Sequence, residues 1–97
     1  MHILFHSNAE IEFRDAFIWY ERQRKGLGSE FLLCIDERME RIKRNPEQYP
    51  KVHNQIRQTV VRRFPFAIYY EIVQSKIYVL AIFHSRRDPS RWQSRKW

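Results

Sequence analysis

The chain has 97 residues and a globular composition, with 43% hydrophobic and 15% aromatic side chains. This length fits one domain, so we expect residues 1–97 to form a single unit. The apolar content excludes a disordered chain, and no apolar run approaches the roughly 20 residues of a membrane span. The N-terminus is too short for a signal peptide and lacks its basic start, and the single cysteine cannot form an internal disulfide. We therefore expect a cytoplasmic protein with Cys34 in its core.

The net charge of +7 is concentrated in the second half of the chain. Residues 1–47 carry nine acidic and eight basic side chains, whereas residues 48–97 carry two acidic and ten basic side chains. A charged surface that only aids solubility normally intersperses the two signs. The segregation therefore favours an anionic partner, either a nucleic acid or an acidic protein.

The first half of the chain predicts a strand followed by a helical hairpin. Residues 2–6 alternate as a short strand, and apolar residues recur at helical spacing from Ala9. The glycine-rich turn at residues 26–28 breaks that pattern, and a second helical stripe then runs to Arg44, before Asn45-Pro46. Because the connection is so short, the two helices should lie antiparallel.

The second half of the chain predicts a sheet. After a loop over residues 45–55 the apolar period changes to two, which indicates strands at residues 56–63, 66–73 and 77–83. The last of these is apolar on both faces and should be a central strand. A short C-terminal helix is predicted over residues 91–97. The order β-α-α-β-β-β predicts an α+β fold in which the helical hairpin packs on an antiparallel sheet.

Several segments, taken in order, resemble the RelE/ParE toxin superfamily and its ParE branch in particular. They are Trp19-Tyr20-Glu21, Gly26-Leu27-Gly28, Phe31, Ile35-Asp36, Asn45-Pro46, Tyr49-Pro50, Phe64-Pro65-Phe66, Ile68-Tyr69-Tyr70, Val79-Leu80-Ala81, His84, Arg86-Arg87-Asp88-Pro89 and Trp92. No single segment is diagnostic. Their order and spacing extend over nearly the whole chain, and the predicted order of elements agrees with that fold.

The resemblance implies the toxin of a type II toxin–antitoxin system, of the kind that stabilises plasmids. Such a toxin is encoded beside a small antitoxin, whose C-terminal segment wraps and blocks it. ParE-like members act on DNA gyrase, so the resemblance implies inhibition of gyrase by binding. RelE-like members instead cut messenger RNA in the ribosomal A site, using basic residues and often a tyrosine or histidine. A member that has lost toxicity and only binds its antitoxin is a third alternative.

Metal-free RNA cleavage needs a base for the 2′-hydroxyl, cations for the phosphate and an acid for the leaving oxygen. The cations are plentiful, and they are Arg57, Arg62, Arg63, Arg86 and Arg87. Because Arg62 and Arg63 are neighbours in a predicted strand, they should point to opposite faces, and only one can join such a site. We favour Arg63.

An acid and a base are harder to find. RelE-like nucleases commonly carry an essential tyrosine after the last strand, but residues 85–97 contain no tyrosine. Trp92 stands near that place, and an indole N–H cannot act as a general acid near neutral pH. His84 is the nearest titratable side chain, and Glu47 or Lys51 on the loop could assist. The nuclease alternative therefore uses Arg63, His84 and Arg87, and the sequence favours a toxin that acts by binding.

The residues predicted to contact a target or the antitoxin share a positive charge or an aromatic ring in the second half of the chain. They are Arg57, Arg63, Tyr69, Arg86, Arg87, Arg91 and Trp92. Tyr69 and Tyr70 are neighbours in a strand, so one of them should face away from the helices. No metal or cofactor is expected, since the histidines lack metal-ligand spacing and there is no phosphate-binding glycine loop. These predictions require the cations to converge on one surface.

Overall fold

The chain folds into a sheet of five strands with a helical hairpin on one face, in a computed structural model that describes residues 2–96. Its elements are β1 (His2–Phe5), α1 (Ser7–Gln23), α2 (Leu27–Arg44), β2 (Lys51–His53), β3 (Ile56–Val60), β4 (Phe66–Val73), β5 (Lys76–His84) and α3 (Ser90–Gln93). The strand order across the sheet is β1-β5-β4-β3-β2. No helix within the described range is both long and apolar enough to cross a membrane.

The predicted α+β class and the hairpin on the sheet are confirmed. The sheet is mixed, however, because β1 pairs parallel to β5, while the other neighbouring strands pair antiparallel. Apolar alternation shows which face a residue occupies and carries no information on the direction of the neighbouring strand. The prediction of a wholly antiparallel sheet was therefore wrong for β1 alone.

Three other boundaries differ from the prediction. The stretch predicted as a loop over residues 45–55 contains β2, a three-residue edge strand too short to show a period. β3 ends at Val60, before Arg62 and Arg63, which were predicted to belong to it. α3 spans Ser90–Gln93 and follows a turn in which the Asp88 carboxylate accepts from the Ser90 N–H at 3.0 Å. Trp97, predicted to end this helix, lies outside the described residues.

β5 is the central strand of the core. Ile77, Val79 and Ile82 are buried beneath the helices, while Leu80, Ala81 and Phe83 are buried on the other face. Two successive residues share this second face because the β4–β5 ladder is irregular there. Tyr70 pairs with Val79 and Tyr69 pairs with Ala81, so Leu80 has no partner on β4. The strand contains a bulge at Leu80, which changes the alternation at that point.

Aromatic side chains fill the space between the hairpin and the sheet. The Phe31 ring lies 5.2 Å from each of the Tyr20, Phe64 and Phe66 rings, centroid to centroid. Cys34, predicted to lie in the core, packs against it and remains partly exposed. On the same face the Tyr70 hydroxyl donates to the Pro46 carbonyl at 2.5 Å, and burial raises the pKa of Tyr70 to about 12.

The turn between α1 and α2 is built around Glu21 and two glycines. The Glu21 carboxylate accepts hydrogen bonds from the N–H groups of Gly26 and Gly28, both at 2.9 Å. These bonds lower the pKa of Glu21, and the bond from Gly26 has the largest effect. Gly26 has φ +90°, a conformation that other residues rarely adopt. At Gly28 the helices approach so closely that a Cβ atom would lie 2.8 Å from the Phe17 carbonyl oxygen.

We predict that Gly28→Ala lowers the free energy of unfolding by about 1–3 kcal/mol, because the added methyl group pushes backbone against backbone. Urea denaturation followed by circular dichroism measures the change. The control is Leu33→Ala, which alters a side chain that is 67% exposed on α2, and it should shift stability by no more than about 0.5 kcal/mol. Equal stability of Gly28→Ala and the parent protein would show that the hairpin tolerates a wider spacing at this turn.

Candidate functional site

A groove of about 890 Å³ lies between α1, the end of β5 and the segment that follows β5. We call residues 85–96 the C-terminal segment and this cavity the α1–β5 groove. Its one wall comes from α1 and includes Asp15 and Trp19, and its floor includes Phe66 and Ile82. The other wall comes from the C-terminal segment. This groove combines apolar side chains with several polar and charged groups, and it is the candidate site.

Three of the residues predicted to matter come together in this groove. His84, Arg87 and Arg91 all line it. Both arginine side chains are exposed, and Arg86 is exposed next to them in the chain. The predicted convergence of cations is therefore found only in part, for the arginines that follow β5.

Arg57 lies outside the α1–β5 groove, and its guanidinium is bound to the backbone of its own chain. Its Nη1 donates to the carbonyl oxygens of Glu47 at 2.9 Å and Tyr49 at 2.6 Å, so the guanidinium holds the loop before β2. It does not line the α1–β5 groove. Arg57 was predicted to contact a partner, but its guanidinium donates to two carbonyl oxygens of its own chain.

Arg63 also lies outside the groove. Its Nη2 donates to Glu30 on α2 at 2.6 Å, and this bond, followed by the one from Arg24, lowers the pKa of Glu30. The prediction that strand alternation separates Arg62 from Arg63 was wrong, because β3 ends at Val60 and both arginines follow it. Arg63 has a left-handed backbone with φ +71°, a conformation that strand geometry does not allow.

Tyr69 and Trp92 are packed against each other on the face of the sheet opposite the helices. Their rings stack with centroids 4.0 Å apart and planes 27° apart. Only 5% of Tyr69 and 2% of Trp92 are exposed. The Tyr69 hydroxyl accepts from Gln58 Nε2 at 3.0 Å, while burial raises the pKa of Tyr69. Both residues were predicted to contact a partner, but in this structure they form an interior contact.

His84 takes part in a local hydrogen bond at the end of β5. Its Nδ1 accepts from the backbone N–H of Arg86 at 3.2 Å. The ring meets the Phe66 ring nearly edge-on at 5.5 Å, and the side chain is half-buried. His84 and the exposed Arg87 line the same groove, where an imidazole and a guanidinium can together bind an anion.

The groove also contains residues that the sequence analysis did not select. Trp19 is 58% exposed, and Asp15 brings negative charge to the wall opposite the arginines, whereas Glu12 is ion-paired with Arg95. One signal for Trp19 was present, because it falls off the helical stripe of Phe13, Phe17 and Tyr20. An aromatic side chain outside the buried stripe of a helix must be exposed or bound by a partner. Within residues 2–96, no group of three or more His, Cys, Asp or Glu side chains could hold a metal ion.

The helical hairpin on a sheet, followed by a C-terminal segment, is the fold that the resemblance to small RelE/ParE-like toxins implies. The profile of the family described as "ParE toxin of type II toxin-antitoxin system, parDE" matches residues 3–89. The chain belongs to this family.

A solved chain titled "Chromosomal ParDE TA system from P. aeruginosa" has a similar structure, with a TM-score of 0.76. The match covers 87% of this chain and 95% of that chain, at 16% sequence identity. At this identity the likeness concerns the fold. No curated protein matches the sequence significantly.

We predict that Trp92→Ala lowers the free energy of unfolding by about 3–5 kcal/mol, because it empties a large volume beside Tyr69. Guanidinium denaturation of both proteins measures the difference. Arg91→Ala, one position earlier and fully on the surface, is the matched control and should change stability by about 0.5 kcal/mol at most. A Trp92→Ala protein as stable as this control would contradict the buried position of the indole.

Proposed function

We propose that this ParE-family toxin inhibits DNA gyrase by binding it, in the bacterial cytoplasm, and that a cognate antitoxin neutralises it. Membership of the ParE toxin family, with a match over residues 3–89, is the observation that carries the proposal. The arrangement of the side chains supports binding over chemistry, as the position of each catalytic candidate illustrates.

The nuclease alternative requires Arg63, His84 and Arg87 to act on one phosphate. His84 and Arg87 line the same groove, which favours that alternative, but Arg63 does not line it and contacts Glu30. The tyrosine that RelE-like enzymes place after the last strand corresponds here to Trp92, whose indole is buried. A cleavage site would therefore have His84 as its only candidate proton donor among these residues. We favour a toxin without its own chemistry.

The target would contact the α1–β5 groove and the arginines at its rim. Arg86, Arg87 and Arg91 are exposed, and Trp19 presents a large apolar surface on the opposite wall. Tryptophan and arginine are the residues that most often dominate the energy of protein interfaces. Mixed charge in the groove, with Asp15 facing the cations, suits a protein partner better than a nucleic acid alone.

The antitoxin would use a second cavity as well. A smaller groove of about 300 Å³ lies along the hairpin beside β1, with Phe5, Phe13, Leu32 and Met39 in its lining. Apolar side chains of an antitoxin segment can fill this groove, while its acidic groups reach the arginines after β5. We infer that these two kinds of contact together block the toxin.

We predict that the purified protein inhibits supercoiling by gyrase and leaves ribosome-bound message uncut. Arg87→Gln/Arg91→Gln should weaken gyrase inhibition by about tenfold or more, because two exposed hot-spot cations are lost. Arg22→Gln, an exposed arginine of α1 that does not line the groove, is the control. Ribosome-dependent cuts with unaffected gyrase would overturn the proposal. Loss of those cuts in His84→Ala would then establish the nuclease alternative.

We predict that raised salt slows association with the antitoxin more than it speeds dissociation, because the arginines steer an acidic segment towards the toxin. Stopped-flow measurements across a range of salt concentrations give both rates. Arg87→Gln/Arg91→Gln should flatten the salt dependence of the association rate, and Arg22→Gln should leave it unchanged. An association rate that does not respond to salt would remove the electrostatic part of this proposal.

A further inference from the structure

The outer edge of β5 is longer than the strand that pairs with it. β1 follows β5 only from Lys76 to Val79, and the last bond of this ladder runs from the His6 N–H to the Val79 carbonyl at 2.9 Å. β5 continues to His84. Within the described residues, no strand lies against this second half of the edge. An open edge of this kind is a template for pairing with another chain.

Two side chains lie along the part of the β5 edge that β1 does not cover. Arg95 Nη1 donates to the Leu80 carbonyl at 3.0 Å, and Glu12 Oε1 accepts from the Ile82 N–H at 3.2 Å. The same guanidinium and carboxylate form a two-pronged ion pair with each other. A donor and an acceptor are thus presented to alternate residues of β5, as a neighbouring strand would present them. The bulge at Leu80 turns its carbonyl towards this side.

The ion pair joins three distant parts of the chain. Glu12 belongs to α1, Leu80 and Ile82 to β5, and Arg95 to the C-terminal segment. The side chains are largely buried, with 11% of Arg95 and 19% of Glu12 exposed. The guanidinium carbon lies 5.7 Å from the centre of the Phe83 ring. A buried pair that bonds to backbone on both sides is held in one arrangement, unlike the exposed Arg24–Glu30 pair.

The strand beneath this pair has the composition that pairs readily with copies of itself. Residues 77–83 are seven consecutive apolar residues without a charge, a proline or a glycine. Short segments of high β-propensity and low charge assemble strongly when their edge is free. Two copies of one edge can also pair antiparallel about a twofold axis, since residue i of one copy then meets residue j of the other and residue j meets residue i.

We propose that the Glu12–Arg95 pair is an edge cap, which blocks pairing between the β5 edges of two copies of this chain. The pair forms hydrogen bonds with the Leu80 carbonyl and the Ile82 N–H, and it holds the C-terminal segment over that edge. Release of Arg95 opens the edge, and a second copy then occupies it. Glu12 and Arg95 also line the α1–β5 groove, but exchange and sedimentation of the protein alone do not depend on gyrase or antitoxin binding.

The test combines hydrogen exchange and sedimentation of Arg95→Met, which keeps the stem apolar and removes the donors. The exchange rate of the Ile82 amide, divided by that of the Tyr70 amide in β4, reports local opening and excludes the effect of global unfolding. We expect this ratio to rise about tenfold at a low concentration, where the variant is monomeric, and we expect the variant to dimerise as its concentration increases. Arg91→Met is the same change at an exposed position of the same segment. It should leave the exchange ratio and the monomeric state as they are in the parent protein.

An unchanged exchange ratio in folded Arg95→Met would overturn the proposal, and so would a raised ratio in a protein that stays monomeric. If Arg95→Met does not fold, Arg95→Lys is read by the same two criteria. Lysine keeps the charge next to Glu12 but lacks the planar fork that reaches both the carboxylate and the Leu80 carbonyl. It should therefore show both effects to a smaller extent.

Discussion

β5 carries apolar side chains on both of its faces, so both faces must be covered for the chain to fold. The hairpin of α1 and α2 covers one face, and its aromatic side chains form the larger part of the core. The C-terminal segment covers the other face, where Trp92 stacks on Tyr69 and packs beside Leu80 and Phe83. Burial of large aromatic rings on both faces stabilises so small a domain. Trp92 therefore makes the segment after β5 part of the core.

The features that depend on neighbouring residues could be predicted from the sequence. The helical stripes, the glycine-rich turn and the doubly apolar strand each follow from a local period, and the structure has all three. The features that depend on distant residues could not. Glu12 and Arg95 are 83 positions apart, and nothing in their local sequence indicates the ion pair. The same holds for the Tyr69–Trp92 stack, since alternation places Tyr69 on the outer face without showing that a later residue covers it.

The arginines illustrate the same limit for the site. The charge counts correctly indicate a basic second half, but the contacts of each guanidinium depend on which groups lie near it after folding. Arg57 holds a loop, Arg63 meets Glu30, and Arg95 caps a strand edge. Arg86, Arg87 and Arg91, which follow β5, are exposed beside a groove whose other wall carries Trp19. The proposal of a protein target rests on this surface.

The closure of the second sheet face by the C-terminal segment is the claim on which this account depends. A double-mutant cycle of Tyr69→Ala and Trp92→Ala, followed by chemical denaturation, measures it directly. Stacked rings in contact should couple, so the loss in the double variant should be smaller than the sum of the single losses by about 1 kcal/mol. Losses that add to within about 0.3 kcal/mol would mean that the two rings do not touch. The outer face of the sheet would then be open, and Trp92 would be free to meet a partner.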